Sequence, residues 1–298
     1  MVLFNKNRTP KNMRTPYKKI IKDIKTLRIQ GAENVALAGL KVLEKAIKLK
    51  LSEKEILVTI KDILTSRPTE PMLKNCLNYV LSKPDTIEEI RKIRSHIKES
   101  REKIIAFGVQ KIPDKSTVYT HCHSSTVTAI LKHAKANGKK IEVHNTETRP
   151  TLQGRITARE LSKAGIPVKH YIDSAARIAL KKADIALIGA DAITSETKVI
   201  NKIGSELIAE AAKKLDVPLY CCTNSWKFDP NTIYGKETMI ELRPAKEIWS
   251  SPPKKVQIFN FAFERVSPEL ITAIISELGV YRPQLFVSEF KRTYPELL

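Results

Sequence analysis

Cys122 lies between two histidines in Thr120-His121-Cys122-His123-Ser124-Ser125, where a short apolar run gives way to a helix-forming stretch. A helix N-terminus favours negative charge, so it can ease loss of a nearby thiol proton and attract an anion such as phosphate. Asp191 closes a second run in Gly189-Ala190-Asp191, with Asn201-Lys202 just beyond. A third run ends in Thr146-Glu147-Thr148-Arg149-Pro150, and Gln153-Gly154-Arg155 opens the helix after it. A thiol, a carboxylate, cations and amides are the parts of an acid–base site for an anionic substrate. Each also has a plainer use. Cys122 can be a small buried hydrophobe, Asp191 can cap a turn, and Arg149 and Arg155 can pair with acidic neighbours.

The histidines do not point to a metal. On a strand His121 and His123 share one face and Cys122 takes the other, and nothing supplies further ligands at a zinc spacing. Cys221 and Cys222 are adjacent within an apolar run and therefore face opposite ways. With Cys76 they read as reduced thiols of a cytosolic chain.

These side chains need a scaffold, and the chain carries two patterns. From about residue 17 to 105 aliphatic residues recur at helical spacing, as in Ile20, Ile21, Ile24 and Leu27, with breaks at Gln30-Gly31, Ser66-Arg67-Pro68 and Lys83-Pro84-Asp85. Beyond Lys115, short apolar runs alternate with amphipathic helices. The runs are Thr117–Thr120, Ile141–Asn145, Val168–Ile172, Ile185–Ile188, Leu219–Cys222 and Val256–Phe259. The helices are Ser125–Lys135, Ile156–Lys163, Ile203–Lys214 and Pro268–Leu278, with Gly138, Gly165 and Gly279 at their stops. This predicts an α/β protein, with an all-helical domain over 1–105 followed by a Rossmann-like parallel-sheet domain over 106–298. Ligands of such sheets bind beyond the carboxyl ends of the strands, where the polar residues above collect.

The 298-residue chain has a net charge of +20, from 52 Lys and Arg against 32 Asp and Glu. That suits phosphorylated small molecules or polyanions. Lysines are spread throughout without interleaved aromatics, which reads as a solvated surface rather than a single-strand binder. Only the first 28 residues concentrate charge, with nine Lys or Arg against one Asp, and residues 1–16 read as a flexible basic arm. No apolar run approaches the roughly 18 residues of a membrane span, and the N-terminus lacks the apolar core of a signal peptide. A cytoplasmic protein without membrane contact is the expectation.

Taken together, THCHSSTV (120–127), TETRPTLQGRITARELSKAGIPV (146–168), DSA (173–175), IGADAI (188–193), NKIG (201–204) and SPELITAIISELG (267–279) carry a resemblance over nearly the full chain. The superfamily it resembles contains methylthioribose-1-phosphate isomerases, archaeal ribose-1,5-bisphosphate isomerases, and the α, β and δ subunits of eukaryotic translation initiation factor 2B. In the isomerase branches the resemblance implies that Cys122 and Asp191 are the catalytic pair. The implied reaction turns a C1-phosphorylated aldose, ribose 1,5-bisphosphate, into the 1-phosphoketose, ribulose 1,5-bisphosphate. Asp191 would help the ring open, and Cys122, tuned near operating pH, would carry a proton. Arg67, Gln153, Asn201 and Lys202 match positions that hold phosphate and sugar hydroxyls, and Ser124, Ser125 and Arg149 complete that set.

One element departs. The isomerases carry Arg-Gly-Ala in the helical domain, and here it reads Gln30-Gly31-Ala32, with Arg28 two positions earlier. A lost guanidinium contact to phosphate is worth ~1.5–3 kcal/mol. Gln-Gly and Ser-Ser-Thr-Val resemble the initiation-factor branch, while the cysteine–aspartate pair and TETRP…QG resemble the isomerases. The resemblance further implies no metal or redox cofactor, activation by AMP, a role in nucleoside salvage, and a homo-oligomer, dimer or hexamer. The alternative is a non-catalytic initiation-factor-2B-like regulatory subunit that binds nucleotide or sugar phosphate and contacts translation initiation factor 2. A methylthioribose-phosphate isomerase is a third reading.

Overall fold

Alternating charged and aliphatic residues build the helices α1 (Thr15–Lys25), α2 (Ala32–Lys48), α3 (Glu53–Leu64), α4 (Pro71–Leu81) and α5 (Thr86–Lys111). The computed structural model describes residues 15–68 and 70–298, so the basic arm lies outside the described residues except where Thr15 and Pro16 begin α1. Local chemistry sets several of the ends. Ser52 and Glu55 form a reciprocal capping box on α3, and Asp85 accepts from the Glu88 backbone N–H at the start of α5. Helix α5 is 26 residues long and runs through position 105, where the sequence pattern places its change of domain. Its Ile90, Ile93 and Ile97 pack with α2 and α4, whereas Ile104, Ile105 and Val109 pack beneath the sheet.

The chain continues as β1 (Ser116–Thr120), α6 (Ser125–Ala136), β2 (Ile141–Thr146), α7 (Gly154–Lys163), β3 (Val168–Tyr171), α8 (Ala176–Leu180), β4 (Ile185–Ile188), β5 (Ala192–Ile193), β6 (Val199–Lys202), α9 (Ser205–Lys214) and β7 (Leu219–Cys222). It closes with β8 (Phe263–Val266), β9 (Ala273–Ser276), β10 (Gly279–Tyr281) and α10 (Pro283–Thr293). Seven strands form one sheet in the order β10-β9-β7-β4-β1-β2-β3, parallel except for the β9–β10 pair. A small antiparallel sheet, β5-β6-β8, stands beside it. Gly138 and Gly165 take positive φ just past α6 and α7, as predicted for their stops. Alternate strand residues enter different cores. Tyr119, Ala186, Cys221 and Ile274 join one cluster, while Val118, Leu187, Cys222 and Ile275 join the other. Cys221 and Cys222 thus face opposite ways.

Two predicted elements are corrected. The helix expected over Pro268–Leu278 is a 3-10 turn at Pro268–Leu270 followed by β9, and Gly279 (φ 133°) opens β10 rather than stopping a helix. All four residues of β9 are buried beside β7, and a short apolar run with β-branched residues does not distinguish strand from helix by period. Val256–Phe259 forms no strand; Val256 and Phe259 stay exposed, and the pairing segment is β8 instead.

Candidate active site

The strand order reverses between β1 and β4. Chain running outward from β1 goes to β2 and β3 on one side, and the later strands lie on the other. Such a switch point leaves a crevice beyond the carboxyl ends of the two neighbouring strands. Cys122 follows β1 and Asp191 follows β4, so the topology puts the thiol and the carboxylate on the two sides of that crevice. Both line one cavity of about 170 Å³, along with Gln30, Arg67, Gln153, Asn201 and Lys202.

Cys122 has a left-handed backbone, φ 64°, which a residue with a Cβ adopts only when its surroundings hold it there. Its N–H donates to Thr148 Oγ1 (3.0 Å), and its carbonyl accepts from Thr157 Oγ1 (2.8 Å). Asp173 fixes the Thr148 loop in turn, accepting the N–H groups of Thr148 and Arg149 at 2.8 and 2.7 Å. The thiol donates to Gln153 Oε1 at 3.5 Å, a sulfur hydrogen bond. Burial pushes the Cys122 thiol up to about 11, outweighing Lys202 and the His123 N–H, which pull it down. This runs against the expectation of a thiol tuned near operating pH. Loss of solvation in this cavity is the largest cause, and the first turn of α6 beside it is capped by Ser124 Oγ accepting from Val127 N–H.

Asp191 is tied to the small sheet by its N–H, which donates to Ile200 O at 2.8 Å, so it sits beside Asn201 and Lys202 at the end of β6. The Lys202 ammonium lies 4.8 Å from the centre of the Phe263 ring, its partner across the β6–β8 ladder. Asn201 donates to Ser205 Oγ at 2.9 Å and is buried. Burial also holds His121 and His123 below the ordinary histidine range. His121 bridges Thr146 Oγ1 and the Ile203 carbonyl, and His123 contacts Thr157 Oγ1, so both rings have structural partners. Among the described residues no group of three or more His, Cys, Asp or Glu is placed to hold a metal ion.

A second, smaller cavity of about 60 Å³ adjoins the first and shares Gly31, His123, Asp191 and Asn201 with it. Ala32, Ser124 and Ser125 line it, together with two cations that the sequence did not single out, Arg101 and Lys227. Lys227 stands five residues past the end of β7 at Cys222, a signal within reach of the rim argument; Arg101, in the middle of α5, carried none. The first cavity also gains Arg243, which is paired with Glu241 at 3.0 Å. Arg28 and Arg149 line neither cavity. The Arg28 side chain is exposed beside Asp23 (3.5 Å), and Arg149 is exposed. Arg155 pairs with Glu147 at 3.0 Å, its plainer use.

The Initiation factor 2 subunit family matches residues 28–283. A ribose 1,5-bisphosphate isomerase from Archaeoglobus fulgidus is 36% identical over 277 residues, covering 88% of each chain. A ribose 1,5-bisphosphate isomerase from Thermococcus kodakarensis is 36% identical over 290 residues, covering 89% of this chain and 90% of that one. Among solved structures, a translation initiation factor eIF-2B from Pyrococcus horikoshii superposes with a TM-score of 0.83 at 26% identity, covering 92% of this chain and 99% of that one. With a family match over most of its length and relatives at this identity, the chain belongs to the Initiation factor 2 subunit family.

Proposed function

We propose that the protein is an aldose–ketose isomerase that converts ribose 1,5-bisphosphate to ribulose 1,5-bisphosphate. The observation that carries this is the pair of adjoining cavities meeting at Asp191, each with its own cations. Arg67 and Lys202 line one, and Arg101 and Lys227 the other. A pentose with a phosphate at each end fits such a site, its reacting carbons beside Cys122 and Asp191. The names of the Archaeoglobus and Thermococcus relatives support the same substrate.

The chemistry balances on two groups. Moving one proton from the Cys122 thiol to the Asp191 carboxylate creates a base and an acid together. Asp191 protonates the ring oxygen as its bond to C1 breaks, and the thiolate takes the proton from C2 to leave an enol phosphate. The thiol then returns that proton to C1, while Asp191 takes the C2 hydroxyl proton, which leaves the ketone. Lys202 and the phosphate-binding cations keep the anion in place throughout.

This reading includes AMP as an activator, a role in nucleoside salvage in the cytoplasm, and a homo-oligomer. No helix among the described residues is long and apolar enough to cross a membrane. The test is incubation with ribose 1,5-bisphosphate, with and without AMP, and assay for ribulose 1,5-bisphosphate. Absence of turnover on every C1-phosphorylated pentose, together with binding to translation initiation factor 2, would instead favour the regulatory-subunit reading.

A further inference from the structure

Three amide-bearing groups lie in series between the helical region and the reactive thiol. Gln30 Nε2 donates to the Leu27 carbonyl at 2.6 Å. A backbone carbonyl only accepts, so the Gln30 amide must turn its nitrogen to Leu27 and its oxygen outward. That oxygen accepts from Gln153 Nε2 at 3.0 Å, across 123 residues of chain. Gln153 therefore has its nitrogen committed, and its Oε1 faces Cys122, where it accepts from the thiol at 3.5 Å and from Thr151 Oγ1 at 3.2 Å. The orientation of each amide follows from the one before it, starting at a group with no choice.

We propose that Gln30 is a positioning residue that sets the protonation preference of Cys122 by fixing which end of the Gln153 amide meets the sulfur. An accepting oxygen bonds a thiol and not a thiolate, whereas an N–H would do the reverse. The other groups facing Cys122 are Lys202 from the end of β6, Asp191 after β4 and Asp173 after β3, with the His123 N–H on its own segment. Arg67, Arg243 and Glu241 lie around the same cavity. Gln30 Oε1 holds one of the two Gln153 Nε2 hydrogens, which keeps the nitrogen on that side and the oxygen toward the sulfur. The helical region thus contributes a switchable polarity to the site: a side chain at position 30 that only donates would claim Gln153 Oε1 and turn its N–H toward the sulfur. The consequence for turnover rests on the isomerase reading, but the titration of the thiol does not.

The experiment measures alkylation of Cys122 by iodoacetamide at pH 9, followed by the mass of the Cys122 peptide in the full chain. It compares the unmodified protein, Gln30→Arg, Gln153→Met and the double variant. In the presence of Gln153, Gln30→Arg should speed alkylation about tenfold more than it does in the Gln153→Met background, the worth of about one hydrogen bond exchanged. The added charge acts in both backgrounds, so only the excess reports the amide. Gln30→Glu, which only accepts, should change the rate equally in the two backgrounds. Equal effects of Gln30→Arg with and without Gln153 would overturn the proposal, as would an effect of Gln30→Glu that depends on Gln153. Gln30→Lys, also donor-only, serves if the arginine variant does not fold.

Discussion

Arg67 and Glu70 form an ion pair, Nη2 to Oε1 at 2.8 Å, with both side chains almost wholly out of water. The pair is incompletely satisfied, because Arg67 Nε and Glu70 Oε2 are buried without hydrogen-bond partners. Burial and then the Asp191 charge push the Glu70 carboxyl up to about 7, against the pull of Arg67. A carboxyl raised on folding binds its proton more tightly in the folded chain, so stability falls as pH rises from about 4.5 through about 7. Each unit of displacement is worth about 1.4 kcal/mol. Glu70→Gln keeps an acceptor for Arg67 and removes the titration. Thermal unfolding at pH 5 and pH 8 should show the unmodified protein losing stability across that interval and the variant losing less.

Cys122→Ser and Asp191→Asn remove the two proposed proton carriers while preserving shape. Each should lower kcat by about 10²–10⁴-fold with KM little changed, since acid–base groups act on the transition state rather than on binding. Steady-state assay on ribose 1,5-bisphosphate decides it. A KM effect without a kcat effect would move either residue out of the proton path.

The two cavities can be told apart by substrate. Arg67→Met and Lys227→Met each remove a cation from a different cavity, and a charged hydrogen bond is worth about 1.5–3 kcal/mol, roughly 10- to 150-fold in affinity. On the bisphosphate both substitutions should raise KM. On ribose 1-phosphate only one should. If both act on the monophosphate equally, the cavities do not divide the phosphates between them.

Gly154 is the residue at which α7 meets the end of β2. A Cβ there would lie 1.8 Å from the Thr146 carbonyl oxygen, and Asn145 Nδ2 donates to the Gly154 carbonyl at 2.7 Å. Neither backbone segment can yield cheaply. Gly154→Ala should destabilise the protein by about 3 kcal/mol, read as a fall in the urea midpoint at unchanged m-value. It should also shift Gln153, the neighbouring residue, and with it the hydrogen bond to Cys122.

What the sequence revealed depended on how local the cause was. The polar rim at Cys122, Asp191, Gln153 and Lys202 was legible because a parallel sheet gathers its strand ends on one side whatever the details of packing. The opposed faces of Cys221 and Cys222 followed from strand geometry alone. Ala273–Ser276 was misread because its burial depends on a neighbouring strand, β7, more than fifty residues earlier. The raised Cys122 thiol was not legible because its main cause is desolvation, which depends on the packing around the cavity. Arg101 reaches the second cavity only through the path of α5, and Gln30 meets Gln153 only through the docking of two regions.

The pairing of Lys202 with Phe263 makes hydrogen-bond register a property of the chemistry. Side chains alternate faces along a strand, so a slip of β6 against β8 by a single residue would turn the ammonium away from the cavity while leaving the sheet intact. The long excursion from β7 to β8 must therefore return Phe263 to the same rung. That excursion also carries Lys227 and Arg243 to the two cavities and buries Trp226 and Phe228 in the core, so it is bound to the site at more than its far end.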